Sequence, residues 1–187
     1  IIDTVVGQYG EYFLHYYTIN TNPVPSITDI TGFTNPICPT APDQVLTATI
    51  EGGTTPYSYT WNSGHITSTQ DNTANVQIAG SYCGENIPVS LTVNDVNNCS
   101  ANYSVTLIVN DTVAPTFSDT VPTQDALVNN CVFSVPDVTA LVRAISSDNC
   151  TNTNDLQIVQ NPRANTVIYN NTNVEVTVTD GCNNTST

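Results

Sequence analysis

Apolar and polar residues alternate along most of this chain, and this alternation is the strongest structural signal in the sequence. Clear examples are "VLTATIE" (45–51), "YSYTWN" (57–62) and "PVSLTVND" (88–95). A period of two places alternate side chains on the same face of a strand, so that one face is buried. No segment sustains the 3.6-residue period of an amphipathic helix. The pattern therefore predicts an all-β protein.

Turn-forming clusters such as "GGTTP", "NSGH" and "DVNN" separate the alternating segments. Short strands divided by such turns are typical of β-sandwiches. After a break near residue 112 the strand pattern starts again. We predict two tandem immunoglobulin-like β-sandwich modules, at residues 23–112 and 113–187. The further predicted strands are at 74–79 and 103–110 in the first module, and at 131–136, 139–145, 156–161, 166–170 and 174–180 in the second.

The second predicted module lacks its last strand. Its strand "VEVTVTD" (174–180) is followed only by "GCNNTST", whereas the first module continues into the strand at 103–110. Residues 1–19 form a strand-like stretch in a separate N-terminal segment, 1–22. Because an unpaired sandwich edge promotes aggregation, we expect a strand to cover it. That strand comes from the next unit of a tandem array or from another copy of the chain. The alternative is that residues 1–19 pair within their own chain.

The charge balance excludes several classes of partner. The chain has 16 acidic residues and only two basic ones, Arg143 and Arg163, giving a formal net charge of −14. Two arginines cannot form a basic patch, which excludes nucleic acid and anionic membranes as partners. No apolar run reaches the length of roughly 18–20 residues needed to span a bilayer. Since the sequence has no Met and no signal peptide, we expect a mature product or a segment of a longer protein.

Two groups of motifs resemble known repeat families. "TATIEGGTTPYSYTWNSGHITSTQ", followed by "LTVNDVNNC", resembles the SprB-type and PKD-like repeats of giant surface adhesins in Bacteroidetes, over residues 38–110. "NDTVAPTF", "SDNC" and "VEVTVTDGCNNTST" together resemble HYR-type immunoglobulin-like modules, which usually carry the last strand that this chain lacks. The resemblance implies an exported stalk or adhesin segment at the cell surface, and no enzyme.

The functional hypothesis that follows is a structural stalk or filament segment whose partners are neighbouring copies or modules. The alternative is a module that binds carbohydrate or a host surface. "YGEYFLHYY", with Tyr12 and Tyr16, is either core and interface packing or a carbohydrate platform. Trp61 is expected as the central core residue of the first module, with sugar stacking as its alternative. No hydrolase or nucleotide-binding motif is present, which favours a protein that is not an enzyme.

Six cysteines, an even number, indicate an oxidising compartment and disulfide bonds. Zinc is disfavoured because no CxxC motif occurs, and catalytic thiols because no base motif lies nearby. The resemblance implies two bonds, each ending at the late turn of a module: Cys38–Cys99 and Cys150–Cys182. Cys83 and Cys131 would then bond across the junction or redistribute the pairs. The sequence cannot choose among the 15 possible connectivities.

Acidic residues near the module ends predict a calcium site, because calcium takes six to eight oxygen ligands. "VNDTVAPTF" (109–117) resembles the linkers between cadherin modules, where Asn and Asp supply oxygens. The alternative is that these residues only hydrogen-bond their own backbone in Asx turns. The acids expected to converge near the module ends include Asp95 and Asp180 of the late turns, together with Asp148. The strongest set of candidate ligands is Asp111, Asp148 and Asp180, supported by Asn110 and Asn149.

Three copies of "DTV" resemble the Asp-Ser/Thr-aliphatic motif for O-glycosylation in Bacteroidetes. Their threonines are Thr4, Thr112 and Thr120. Two of the copies flank the expected junction, where a threonine would be accessible. A glycan on Thr112 would compete locally with a cation at Asp111, since the two residues are neighbours.

Overall fold

The computed structural model describes residues 2–6, 12–16, 21, 23–121 and 123–187. These residues form mostly antiparallel strands and one short helix, which confirms the all-β prediction. The strands up to residue 110 are β1 (Ile2–Val6), β2 (Tyr12–Tyr16), β3 (Ser26–Thr31), β4 (Gln44–Glu51), β5 (Ser58–Asn62), β6 (Ile66–Gln70), β7 (Thr73–Val76), β8 (Glu85–Asn94) and β9 (Ser100–Val109). The later elements are β10 (Thr116–Phe117), β11 (Leu127–Asn129), β12 (Val132–Ser134), α1 (Thr139–Ile145), β13 (Ser146–Ser147), β14 (Gln157–Asn161), β15 (Val167–Ile168), β16 (Glu175–Thr179) and β17 (Thr185–Ser186).

The N-terminal region, residues 23–110, contains two antiparallel sheets with strand orders β3-β4-β7-β6 and β5-β8-β9. The longest ladder joins β8 to β9 over ten residue pairs. Buried and accessible positions alternate along β8, as the sequence pattern predicts. Side chains from both sheets form one buried cluster, in which Leu46 and Val76 of the first sheet meet Leu91 and Leu107 of the second.

Trp61 takes a different place from the one expected. It is only partly buried, it packs against the cluster, and its Nε1 donates to the carbonyl oxygen of Asp71 at 3.1 Å. Trp61 belongs to β5, one of the two edge strands of its sheet. Fully buried aliphatic residues, and not the tryptophan, therefore fill the centre of this core.

The turn in "EGGTTP" depends on glycine. Gly52 and Gly53 have φ angles of +67° and +70°, in the left-handed region that other residues rarely adopt. A Cβ atom on Gly52 would lie 2.6 Å from the carbonyl oxygen of Val24. Another residue at position 52 would therefore both strain the backbone and collide with a neighbouring segment.

The C-terminal region, residues 111–187, has three smaller sheets, β10-β13, β11-β12-β15 and β14-β16-β17, together with α1. The strand expected at 139–145 is wrong, because this segment is the helix α1. "TALVRAI" contains Ala, Leu and Arg, which favour helices, and only Val142 of the helix is buried. The buried cluster here is small, consisting of Val138, Val142, Leu156 and Val178.

One edge of the sheet in the C-terminal region is mostly open. Strand β17 pairs with β16 only at Val178 and Thr179, and no described strand pairs with this side of β16 along 175–177. A groove of about 1120 Å³ lies in the same region, and its mixed polar and apolar lining includes Val142 and Val176. Phe133 and Tyr169, also in the lining, are 50% and 89% exposed.

Strands β1 and β2 form a separate two-stranded sheet, paired from Ile2–Tyr16 to Val6–Tyr12. The alternative prediction, that the N-terminal segment pairs within its own chain, is therefore confirmed for residues 2–6, which pair with residues 12–16. No other described strand is hydrogen-bonded to this hairpin sheet. None of the helical structure in the described residues is long and apolar enough to cross a membrane.

Candidate metal centre

Two disulfide bonds, Cys38–Cys150 and Cys83–Cys182, join the N-terminal region to the C-terminal region. Cys99, half-buried, and the exposed Cys131 are free. Both bonds that the resemblance implied, Cys38–Cys99 and Cys150–Cys182, are therefore wrong. A bond between Cys83 and Cys131 does not form, and the stated alternative, a redistribution of the pairs, is the outcome. Disulfides between the two regions indicate an oxidising, extracellular or secreted environment.

The geometry of β9 explains why Cys38 cannot reach Cys99. Cys99 comes just before the first residue of β9, whereas Cys38 follows Ile37, which bridges to Val109 at the other end of this strand. A ten-residue strand spans about 30 Å, and a disulfide requires Cα atoms within about 7 Å. Cys38 and Cys99 therefore lie at opposite ends of the N-terminal region.

The two disulfides lie on either side of the chain as it leaves β9. The N–H of Asn110 donates to the carbonyl of Ile37 at 3.0 Å, next to Cys38. On the other side, the N–H of Gly84 donates to the carbonyl of Val109 at 2.8 Å, next to Cys83. The end of β9 is thus held between the two N-terminal cysteines.

The linker that follows is fixed to the C-terminal region by hydrogen bonds. The side-chain amide of Asn184 donates to the carbonyl of Asp111 at 3.0 Å, and the hydroxyl of Ser186 donates to the carbonyl of Pro115 at 2.5 Å. Pro115 is itself buried. The linker is therefore an ordered connection, held at two points along its length.

Three acidic side chains meet at this junction. Asp111, Asp148 and Asp180 each contribute one carboxylate oxygen to a group in which all the oxygens lie within 4.8 Å of one another. Asp111 and Asp180 are 5% and 4% exposed, and Asp148 is half-buried. The residues come from the linker, the loop after β13 and the turn after β16. The structure thus brings together the three acids that the sequence proposed as calcium ligands.

Asp111 is oriented through one of its two oxygens. Its Oδ1 accepts hydrogen bonds from the N–H of Val113 at 3.0 Å and from Nδ2 of Asn149 at 3.1 Å. Its Oδ2 is buried and has no hydrogen-bond partner among the described residues. The Asx-turn interpretation therefore explains only half of this carboxylate.

The other two acids each accept a hydrogen bond from the backbone N–H of a disulfide-bonded cysteine. Asp148 Oδ2 accepts from the N–H groups of Cys150 and Thr151 at 3.0 and 2.8 Å. Asp180 Oδ1 accepts from the N–H of Cys182 at 2.8 Å. Asp148 Oδ1 is buried and, within the described part of the chain, lacks a partner. The repeated D-x-C motif thus couples each acid to a disulfide two residues away.

Asn184 is a contributor that the sequence reasoning missed. Besides contacting the carbonyl of Asp111, its Nδ2 donates to Asp180 Oδ2 at 2.8 Å, and its N–H donates to Oδ1 of the same carboxylate. The similarity between "TDGCNN" and "NDVNNC" was the sequence signal that could have indicated a shared turn, with Asn184 at its end. Asn149 acts as a donor to Asp111, while Asn110 contributes its backbone N–H to Ile37.

Asp95 provides an internal comparison for the cluster. It has the same turn as Asp180, is equally buried at 4%, and accepts two backbone N–H bonds on Oδ1. Its Oδ2, however, accepts a bond from the N–H of Thr54 at 3.1 Å. A buried aspartate in this turn can therefore be fully satisfied, here with the help of Thr54 from another loop, whereas the unpartnered oxygens belong to Asp111 and Asp148 at the junction.

Charge repulsion within the cluster is substantial. Two unit charges about 4 Å apart repel by about 4 kcal/mol at an effective dielectric constant of 20. Among the described residues the one contact between a basic and an acidic side chain within 4 Å is His65–Glu85, at 3.3 Å, so no basic side chain pairs with these acids. Arg143 donates instead to the carbonyls of Thr153 and Asn154. Carboxylate oxygens without basic partners are the donor set of a hard cation.

The other predicted sites are distributed along the chain. Thr112 and Thr120 are exposed, so both are accessible to modification. Thr4, Tyr12 and Tyr16 lie in β1 and β2, and their side chains are outside the described part of the structure. Glycosylation of these threonines and glycan binding through the tyrosines stay predictions.

No protein family, no curated protein and no solved structure matches this chain.

Proposed function

We propose that this chain is a rigid structural segment of an extracellular, cell-surface stalk or filament, of the adhesin type that its motifs resemble. The observation that carries the proposal is the pair of disulfides between the N-terminal and C-terminal regions. A single linker between modules permits bending and twisting. Two covalent cross-links on either side of that linker oppose both motions, which is the requirement for a stalk.

The two regions are, in this proposal, tandem immunoglobulin-like sandwiches. Each has its own buried cluster, and no described sheet combines strands from both. The turn between β8 and β9 also recurs between β16 and β17. In each turn the N–H of the aspartate donates to the carbonyl four residues later, from Asp95 to Cys99 and from Asp180 to Asn184. Asn98 and Asn183 occupy the same place in the two turns, with φ angles of 61° and 68°. This repetition supports two related modules in series.

The experiment for the stalk proposal is immunogold labelling of intact cells that produce the native protein. The expected result is gold on extended surface structures, at regular intervals if the segment is repeated. Label found only inside permeabilised cells would overturn the proposal. Small-angle scattering is an independent check: the oxidised chain should fit one shape, and a mixture of bent shapes would contradict rigidity.

End-to-end assembly is a second proposal, favoured by the open edge of β16. The groove and this edge expose apolar surface and unpaired backbone groups, which make a sheet receptive to an added strand. The occupant that we propose is the β1–β2 hairpin of a second copy. Isolated two-stranded sheets are marginally stable, and this hairpin is hydrogen-bonded to no other described strand.

Assembly can be tested by electron microscopy and gel filtration of the full chain and of a variant lacking residues 1–22. The variant lacking residues 1–22 should stay monomeric and form no filaments. Tyr169→Ser with Phe133→Ser should also prevent assembly, because both side chains line the groove and are exposed. Tyr82→Ser is the matched control, since Tyr82 is 69% exposed but is not among the groove residues. Filaments that persist without residues 1–22 would point to another occupant, such as a further stretch of the same polypeptide.

A further inference from the structure

We propose that Asp111, Asp148 and Asp180 bind one calcium ion, which locks the linker onto the C-terminal region. The inference concerns the isolated chain. It therefore stands or fails independently of the surface location and the assembly proposed above.

The first argument is the buried, unpartnered charge. Asp111 is only 5% exposed, and its Oδ2 has no hydrogen-bond partner within the described residues. Asp148 Oδ1 is in the same situation. Buried polar atoms are almost always satisfied, and buried charges are paired or coordinate metals. A cation at the cluster would give this buried negative charge a partner.

The second argument is the spacing of the oxygens. Two ligands of the same calcium ion, each 2.3–2.6 Å from it, can be at most about 5 Å apart. The three carboxylate oxygens lie within 4.8 Å of one another, which is inside this limit. One ion can therefore contact all three acids without movement of the backbone segments that carry them.

The third argument is the chemistry and the supply of ligands. All three ligands are carboxylates, and both cysteines nearby, Cys150 and Cys182, are in disulfides, so zinc is disfavoured. Calcium tolerates irregular geometry and completes its shell with carbonyl oxygens and water, whereas magnesium demands a near-ideal octahedron. With a divalent cation bound, three carboxylates have a net charge of −1, which is less unfavourable in a buried site than the net charge of −3 without the ion.

The hydrogen bonds around the cluster show how it is preorganised. Backbone N–H groups hold one oxygen of Asp111, of Asp148 and of Asp180, and so aim the carboxylates before any ion arrives. Because Asp111 belongs to the linker and the other two acids to the C-terminal loops, the ion joins the two. An affinity in the range of extracellular calcium modules, about 10⁻⁴–10⁻³ M, is expected.

The test uses the full oxidised chain, freed of metal, with isothermal titration of CaCl₂ and thermal unfolding in EDTA and in calcium. One calcium ion per chain should bind. At a concentration 100 times the dissociation constant, the midpoint should rise by about 5–10 °C. Magnesium at the same concentration should give a smaller rise. No heat of binding and an unchanged midpoint would overturn the proposal, as would an equal or larger effect of magnesium.

Variants distinguish a site from a general charge effect. Asp111→Asn keeps the acceptor oxygen for Val113 but replaces the unpartnered oxygen, so it should fold, match or exceed the wild-type midpoint in EDTA, and lose the calcium response. Asp148→Asn should behave in the same way. Asp95→Asn is the control, because Asp95 is as buried as Asp111 and has the same turn as Asp180, but lies outside the cluster. A full calcium response in Asp111→Asn, or its loss in Asp95→Asn, would overturn the assignment.

Discussion

Mechanical extension gives the sharpest test of the cross-linked junction. When the chain is pulled at its two ends, tension follows the shortest covalent path between them. With Cys38–Cys150 intact, this path contains residues 1–38 and 150–187, which are 76 of the 187 residues. At about 3.5 Å per residue the oxidised chain should extend to no more than about 270 Å. The fully reduced chain should reach about 650 Å.

The two disulfides should differ in their effect on this limit. Without Cys38–Cys150, the shortest path runs through residues 1–83 and 182–187, which are 89 residues, or about 310 Å. Removal of Cys83–Cys182 alone should leave the limit at about 270 Å, because the shorter path is still present. This second variant is the matched control, as it also removes one disulfide between the same two regions.

The assay is single-molecule force spectroscopy with handles at both ends, on wild type and on paired Cys→Ser variants. Contour lengths are compared under oxidising conditions and with reductant. An oxidised wild type that lengthens to about 650 Å would refute the cross-links. Equal lengthening on loss of either disulfide would refute the pairing, because the path lengths of the two variants differ by 13 residues.

Three further outcomes follow from the structure. Alkylation without reductant should modify two cysteines, Cys99 and Cys131, and peptide mass analysis that finds label on Cys38 or Cys83 would contradict the bonds. Leu91→Ala, at a fully buried position, should cost about 2–5 kcal/mol in urea unfolding, whereas Ile108→Ala, 40% exposed, should cost clearly less; equal losses would argue against the sheet register. Hydrogen bonds from the hydroxyl and the N–H of Thr139 lower the pKa of Asp137 below 3.8. The folding stability that these bonds contribute should therefore be present above pH 3.8 and lost as the pH falls through the lowered pKa. The stability difference between wild type and Asp137→Ala, measured in urea at about pH 7 and about pH 2, should therefore shrink in acid, and a difference that grows in acid would refute this.

Much of the N-terminal region could be predicted from the sequence because its strands are long and alternate regularly. The ten-residue β8 shows strict alternation, and every second residue from Ile87 to Val93 is buried where one face of its sheet packs in the core. The segment 139–145 could not be predicted in the same way. It is short and apolar, and only packing decides whether such a run becomes strand or helix; here Val142 packs beside Val138.

The acids of the candidate site were predictable, but the disulfides around them were not. Asp111, Asp148 and Asp180 all follow the ends of strands, and such residues meet where the N-terminal and C-terminal regions join. The cysteine pairs depend on which end of the N-terminal region each residue occupies, which only the three-dimensional path of β9 reveals. The resemblance implied bonds within the N-terminal region and within the C-terminal region, whereas both observed bonds join the two regions.

The cross-link between Cys38 and Cys150 also protects the chain against cutting. A protease that cleaves one peptide bond anywhere between residues 39 and 149 leaves both fragments attached to each other through this disulfide. Exposed segments in that range, such as the one containing Asp119 and Thr120, are where proteases attack most readily. Covalent continuity from one end of the chain to the other therefore survives damage that would sever an uncross-linked polypeptide. In an environment rich in proteases, a nicked molecule would still hold its two ends together.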